Sequence, residues 1–202
     1  AASGISNAML RPAFGLVLAG GESRRMGHDK ALLDRNGQSQ LAFVVDLLGQ
    51  SVEQVFVSTR AGQAADAERK QFKQIVDRYE DIGPIAGILS ALEEYPEVDW
   101  LVAACDLPNI TTETIEHLLG SRNGDQLFTA YASTYDGLPE PLCSVYHVGC
   151  KSTVQQFVDD GIVCPRKMLL RSETRLLEQV EPGSLDNINT LDDLESSMLQ
   201  VS

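Results

Sequence analysis

The stretch FGLVLAGGESRRMGHDK, residues 14–30, is the most informative part of the sequence. It opens with apolar and small residues, as a buried strand does, and runs directly into Gly20 and Gly21. Glycines at this point let the backbone approach a ligand and offer amide donors to phosphate oxygens. Three basic residues follow in the same stretch: Arg24, Arg25 and Lys30. The pattern predicts a phosphate-binding loop, and a structural glycine turn is the alternative.

Two well-known glycine motifs do not fit this loop. A Walker loop places Lys immediately after its last glycine, whereas here His28 and Asp29 stand between Gly27 and Lys30. The spacing of the dinucleotide fingerprint GxGxxG is missing as well. The loop therefore predicts phosphate binding of another kind.

Charge and composition narrow the class of ligand. The 202 residues include 16 basic and 29 acidic ones, a formal net charge of −13. Such a surface repels nucleic acid and anionic lipid, and no apolar run approaches the roughly 20 residues of a membrane span. We therefore expect no nucleic-acid or membrane partner. Residues 1–8 are expected to be an expression-tag remnant, and residues 9–202 a single domain.

The four cysteines indicate a reducing compartment. They form no CxxC pair and have no histidines at zinc-finger spacing. The cysteines are Cys105, Cys143, Cys150 and Cys164. We predict reduced, mostly buried thiols and a cytoplasmic protein.

Apolar runs alternate with segments of helical periodicity along the chain. Strands are predicted at residues 14–19, 55–58, 75–76 and 100–104, separated by helical patterns. This predicts an α/β fold, a three-layer, doubly wound, mostly parallel sheet with helices on both faces, Rossmann-like in kind. Residues 142–148 form a later β segment for which antiparallel pairing is expected. Ligands of such sheets bind at the carboxyl ends of the strands.

One helix boundary is predicted in detail. Thr111 or Thr112 is expected to cap a helix that carries Ile115 and Leu118. Gly120 is expected to end that helix in a left-handed conformation.

The stretch LAGGESRRMGHDKALL, residues 18–33, resembles the signature loop of the molybdenum cofactor guanylyltransferase family, within the nucleotidyltransferases built on an α/β sheet. The matching positions are Gly20, Gly21, Ser23, Arg25, Met26, Gly27, Asp29, Lys30 and Ala31. The resemblance implies a nucleotidyltransferase fold in which Leu18, Ala19, Gly20 and Gly21 bind the nucleotide. It also implies that Arg25 and Lys30 neutralise charge around the α-phosphate.

A second stretch, VDRYEDIGPIAGI at residues 76–88, resembles the base-recognition segment of that family. Asp77 matches its aspartate, which follows a short strand. A carboxylate can accept paired hydrogen bonds from N1 and N2 of guanine, and cytosine offers no such pair. The alternative for Asp77 is a solvated loop acid. Where the family commonly has an asparagine near the base, this chain has VSTR, which leaves Ser58 or Arg60 there.

Asp106 ends a buried strand in the sequence AACDLP. A carboxylate at the edge of the sheet can hold Mg²⁺ against a phosphate, and the resemblance assigns this catalytic and metal-binding role to Asp106. The alternative is a helix cap or loop acid near Thr111.

Two further segments bear on the substrates. LDNINTLDDL, residues 185–194, resembles a family segment that brings Asn187 and Asn189 toward the nucleotide. Capping of the last helix by Asn189 or Thr190 is the alternative. A basic island follows Pro165, and its members are Arg166, Lys167, Arg171 and Arg175. The last three share one face if the segment is helical. That face could bind an anionic pterin or an acidic partner, and a solvated helix face is the alternative.

The resemblance to this family implies Mg²⁺-dependent transfer of GMP from GTP to the terminal phosphate of molybdopterin. Transient contact with molybdoenzyme maturation proteins is part of this hypothesis. Two alternatives stay open. One is a cytidylyl, sugar-phosphate or alditol-phosphate nucleotidyltransferase, which a nucleotide panel would distinguish. The other is a non-catalytic, nucleotide-binding accessory protein, which would release no pyrophosphate.

Overall fold

Strands and helices alternate along the chain in this computed structural model, which describes residues 11–19 and 29–186. In chain order the elements are β1 (Ala13–Leu18), β2 (Asp34–Arg35), β3 (Gln38–Ser39), α1 (Gln40–Gly49), β4 (Gln54–Thr59), β5 (Gln74–Val76), α2 (Ile85–Glu94), β6 (Asp99–Ala104), α3 (Thr112–Gly120), β7 (Phe128–Ala132), β8 (Pro139–Tyr146), α4 (Lys151–Asp159), α5 (Pro165–Leu170) and β9 (Thr174–Leu177). Short 3₁₀ turns at Lys30–Leu32, Ala61–Gln63 and Arg69–Gln71 lie in the connections.

Seven of these strands form one sheet in the order β5-β4-β1-β6-β8-β7-β9. The pairs among β5, β4, β1 and β6 are parallel, as is the pair of β7 with β9. Strand β8 lies antiparallel between β6 and β7. The mostly parallel sheet and the antiparallel later strand are thus both confirmed.

Helices cover both faces of this sheet. On one face, α1 and α3 pack through Leu41 and Ile115 against inward residues such as Val17. On the other face, α2, α4 and α5 pack against residues that include Leu16 and Trp100. Because successive strand residues point to opposite faces, Leu16 and Val17 enter different halves of the core. The predicted three-layer, doubly wound architecture is confirmed.

The start of α3 agrees with the sequence, but its end does not. Thr111 caps the helix by accepting the Thr114 amide over 3.3 Å. Gly120 remains in right-handed conformation as the last helical residue, so the prediction of a left-handed end is wrong. The final carbonyls have other donors, since the Ser121 amide bonds His117 O at 3.0 Å and Arg122 Nε bonds Leu119 O at 2.9 Å. No left-handed residue is required there.

The prediction of mostly buried cysteines is confirmed. None of the four forms a disulfide, and three of them are buried, with Cys164 the exposed one. Burial raises the pKa of the Cys143 thiol to about 12, which keeps it protonated and unreactive at neutral pH. Among the described residues, no helix combines the length and apolar character that crossing a bilayer requires.

Candidate nucleotide site at the carboxyl edge of the sheet

Three parallel strands end level with one another at one edge of the sheet. Leu18 at the end of β1 is in register with Ser58 of β4 on one side and with Ala104 of β6 on the other. The backbone bonding continues past the strands, with Ala19 N donating to Ser58 O over 3.1 Å and Cys105 N to Leu18 O over 3.3 Å. The glycine-rich loop therefore leaves the centre of this edge, flanked by the segments that follow β4 and β6.

A cavity of about 800 Å³ opens at this edge, a size typical of small-molecule and cofactor sites. Its walls come from the ends of β1 and β4, the segment after β5, the first turn of α2 and the residues after β6. Residues predicted from the sequence that line it are Leu18, Ser58, Arg60, Asp77 and Asp106. Residues from four separate segments of the sequence therefore line the same cavity.

Asp77 is held in a defined orientation rather than as a free loop acid. Its amide donates to Thr59 O over 2.8 Å, which extends the β4–β5 pairing by one residue. Its Oδ1 atom accepts a hydrogen bond of 3.0 Å from Ser58 Oγ. Burial raises the pKa of the Asp77 carboxyl, and the Ser58 hydrogen bond and the positive charge of Arg60 act against that rise.

Gly87, in the first turns of α2, makes this arrangement sterically possible. A Cβ atom at this position would lie 2.1 Å from Ser58 Oγ and 3.3 Å from Asp77 Oδ1. The helix backbone therefore approaches the Ser58–Asp77 pair as closely as glycine allows. Gly87 belongs to the segment at residues 76–88, but no role was predicted for it from the sequence. A glycine inside a helix is itself a signal that another group approaches the backbone closely.

The residues after β6 are fixed from the opposite side of the sheet edge. Gln40 Nε2 donates to Leu107 O over 3.2 Å, and Arg35 Nη1 donates to Pro108 O. Both donors belong to the segment that follows the glycine-rich loop, so this segment anchors the chain beside Asp106. Asp106 is half-buried at the cavity wall, two residues beyond the end of β6.

The donor set at this edge suits a cation that is shared with a substrate. Within residues 11–19 and 29–186, no three His, Cys, Asp or Glu side chains are grouped to enclose a metal. Mg²⁺ usually keeps several waters and binds one or two carboxylates together with substrate phosphates. Asp106, a half-buried carboxylate on the cavity wall, is consistent with that mode of binding.

Several predicted site residues lie outside the described part of the chain. These are Gly20, Gly21, Arg25, Asn187 and Asn189, together with the side chain of Lys30. The backbone of Lys30 begins the 3₁₀ turn Lys30–Leu32. Ala19 is described and buried, and it directly precedes the loop.

The basic island does not form one helical face. Helix α5 ends at Leu170, so Arg171 caps it and Arg175 lies on strand β9. The helical assumption fails because Ser172 and Glu173 separate these two elements and the chain there turns back to pair with β7. Arg166 instead donates through Nε to Pro139 O over 3.1 Å and lies 3.7 Å from a Glu140 oxygen.

The mostly parallel sheet and the cavity at its carboxyl edge fit a nucleotidyltransferase fold, and comparison with known proteins specifies the family. The chain belongs to the MobA-like NTP transferase domain family, whose sequence profile matches residues 15–178.

Individual relatives agree with this assignment. The chain is 38% identical over 182 residues to the molybdenum cofactor biosynthesis bifunctional protein of Synechocystis sp., covering 90% of this chain and 52% of that protein. The chain thus spans about half the length of this relative. It is 30% identical over 196 residues to the molybdenum cofactor guanylyltransferase of Shewanella frigidimarina, covering 93% of this chain and 96% of that one.

A solved structure supports the fold assignment. The crystal structure of molybdopterin-guanine dinucleotide biosynthesis protein A from Archaeoglobus fulgidus superposes with a TM-score of 0.75 at 27% identity. The match covers 91% of this chain and 95% of that one.

Proposed function

We propose that this protein transfers GMP from GTP to the terminal phosphate of molybdopterin and releases pyrophosphate. The observation that carries the proposal is the position of Asp77 and Asp106 on the walls of one cavity, beside the strand end from which the glycine-rich loop departs. A base-reading carboxylate and a metal-binding carboxylate are what a nucleoside triphosphate requires at its two ends. The names of the relatives from Shewanella and Archaeoglobus supply the choice of substrates.

Guanine recognition is assigned to Asp77. The Ser58 hydroxyl occupies one lone pair of Oδ1 and leaves Oδ2 and the remaining lone pair as acceptors. These acceptors suit the adjacent N1 and N2 donors of guanine. Because Ser58 fixes the carboxylate before the nucleotide arrives, little orientational freedom is lost on binding.

The phosphates are assigned to the loop that follows Leu18. Glycine amides would bind the phosphate oxygens, and Arg25 and Lys30 would neutralise the charge that develops around the α-phosphorus. Asn187 and Asn189 would orient the same phosphates from the C-terminal segment. Asp106 would hold a divalent cation, for which we propose Mg²⁺, and that cation would supply charge neutralisation to the departing pyrophosphate.

The reaction needs alignment more than proton transfer. An oxygen of the pterin's terminal phosphate attacks the α-phosphorus in line. A new P–O bond forms, and the bond between the α-phosphorus and the oxygen bridging to the β-phosphate breaks. The attacking phosphate is already anionic at neutral pH, so no general base is required. Positioning and charge stabilisation at the sheet edge would then provide the catalysis.

Cellular context follows from the same proposal. Four cysteines without disulfides and the acidic composition support a cytoplasmic enzyme that acts on small molecules. Delivery of its product would involve transient contact with molybdoenzyme maturation proteins.

Calorimetric titration of GTP, CTP and ATP, each with Mg²⁺, into the wild type and Asp77→Ala tests the proposal. Selective GTP binding that weakens in the variant is expected. Preference for CTP would instead indicate a cytidylyltransferase, and absence of nucleotide binding would contradict an enzyme of this class.

A further inference from the structure

Arg69 is a buried cation that neither the sequence motifs nor the proposed reaction uses. It lies in the 3₁₀ turn Arg69–Gln71, within the connection between β4 and β5, and its side chain is only 1% exposed. A guanidinium so far removed from water needs compensating partners.

Two of those partners, Ala19 and Asp29, lie on either side of the glycine-rich loop in the sequence. Arg69 Nε and Nη2 donate to Ala19 O over 3.0 and 2.6 Å. The same Nη2 atom donates to Asp29 Oδ2 over 2.8 Å. Ala19 directly precedes residues 20–28 and Asp29 directly follows them, so a single nitrogen atom joins the beginning and the end of the loop.

The guanidinium is itself anchored to its own segment. Arg69 Nη1 donates to Asp66 Oδ2, and the other oxygen of Asp66 accepts the Glu68 and Arg69 amides over 3.1 and 2.8 Å. Burial works to lower the pKa of Arg69, but the hydrogen bonds and charges of Asp66 and Asp29 raise it above the ordinary value. The group therefore stays cationic, and the carboxylates of Asp66 and Asp29 bind its Nη1 and Nη2 atoms respectively.

Stability alone does not account for such an arrangement. The desolvation of a buried ion pair largely cancels its attraction, so a well-packed apolar group of similar size would serve the fold as well. A guanidinium differs in its geometry, because its fixed fork of donors holds several acceptors at set positions. Here two of the acceptors belong to Ala19 and Asp29, the residues that precede and follow the glycine-rich loop in the sequence.

We propose that Arg69 is a positioning residue that holds Ala19 and Asp29, the residues on either side of the glycine-rich loop, together for triphosphate binding. This inference rests on the proposed function, since it assigns the phosphates to that loop. Fixing both ends reduces the conformational freedom that the loop loses when phosphate binds. It also fixes the start of the turn Lys30–Leu32, because Asp29 Oδ1 accepts the Ala31 amide over 3.0 Å.

The two carboxylates around Arg69 provide a matched pair of variants. Asp29→Asn removes the charge on the loop side and keeps the Oδ1 acceptor for Ala31. Asp66→Asn removes the charge on the other side and leaves the bonds from Arg69 to Ala19 and Asp29 in place. Each variant removes one of the two carboxylates that bind the Arg69 guanidinium. We therefore expect both variants to lower the melting temperature by similar amounts.

The readout is the ratio of the affinity for GTP with Mg²⁺ to the affinity for guanosine, which lacks phosphates. Asp29→Asn is expected to weaken GTP binding by about tenfold with guanosine binding unchanged, while Asp66→Asn leaves the ratio within about threefold of wild type. Arg69→Lys, which keeps the charge and loses the fork, should behave like Asp29→Asn. If Asp29→Asn does not fold, Arg69→Lys is used in its place.

Equal loss of GTP and guanosine binding in Asp29→Asn, or an equal change of the ratio in Asp66→Asn, would overturn the positioning role and leave Arg69 a structural residue. Failure of the wild type to bind GTP is a separate result. It contradicts the proposed function, and with it the assignment of the loop to a triphosphate.

Discussion

Ser58 Oγ donates a hydrogen bond of 3.0 Å to Asp77 Oδ1, and this pair joins the end of strand β4 to the residue that follows β5. The pair lines the cavity directly against the backbone of Gly87. Because Asp77 is half-buried, its negative charge lowers the stability of the nucleotide-free protein. The first prediction follows from this effect.

Asp77→Asn is expected to weaken GTP binding by about 10- to 100-fold, since it replaces a charged acceptor by an amide. The same change should leave the free energy of unfolding unchanged or raise it at neutral pH. Burial raises the pKa of Asp77 above the ordinary 3.8, so the unfolded chain releases this proton more readily than the folded one. Ionisation then favours the unfolded state of the wild type.

The sign of this effect fixes its pH dependence. The disadvantage of the wild type is fully present above the raised folded-state pKa of Asp77, and it disappears as the pH falls below 3.8, where the carboxyl is protonated in both states. Urea unfolding, followed by the fluorescence of Trp100, the single tryptophan, measures the free energy of unfolding of the wild type and of Asp77→Asn at each pH. A variant that is less stable than wild type at pH 7 would contradict this account.

Gly87→Ala is expected to destabilise the protein and to impair nucleotide binding, because its Cβ would lie 2.1 Å from Ser58 Oγ. Alanine is intrinsically better than glycine in a helix by about 1 kcal/mol, so the steric conflict must outweigh that gain. Gly120→Ala is the control, since Gly120 is also helical and a Cβ atom there would have no neighbouring atom within 4 Å. Equal melting temperatures for the two variants would show that α2 adjusts without strain.

Lys30→Ala is expected to reduce kcat by about 10²- to 10³-fold, as loss of a group that stabilises transition-state charge does. The melting temperature should stay close to that of wild type. Steady-state assay of pyrophosphate release measures the effect. Unchanged turnover would remove Lys30 from the mechanism.

Asp106→Asn is expected to reduce turnover and to raise the Mg²⁺ concentration needed for half-maximal activity, because an amide binds the hard cation less well than a carboxylate. Asp125→Asn, at an exposed carboxylate beyond α3, is the control and should leave the Mg²⁺ dependence unchanged. A normal Mg²⁺ titration for Asp106→Asn would assign the cation to other ligands.

The sheet was predictable because its signals are local. Each buried parallel strand appears as a short apolar run, as at residues 100–104, and right-handed crossovers then dictate a doubly wound order. The same reasoning places Leu18 and Asp106 at one edge, since Leu18 ends one buried strand and Asp106 closely follows another. Antiparallel β8 was also foreseeable from its position after the regular alternation ends.

Other features depend on contacts between distant residues, which no local pattern records. The bond from Arg69 to Ala19 spans 50 positions in the chain, and nothing around Arg69 in the sequence marks it as buried. The break between α5 and β9, which separates Arg171 from Arg175, arises because β9 pairs with β7. Ser58 was named as a neighbour of the base, but its hydrogen bond to Asp77 required the structure.

The most direct measurement of the proposed activity is pyrophosphate release from GTP in the presence of Mg²⁺ and molybdopterin. We predict release that requires the pterin, that does not occur when CTP replaces GTP, and that yields a product carrying GMP. Release with CTP but not with GTP, or tight GTP binding without any release, would contradict it.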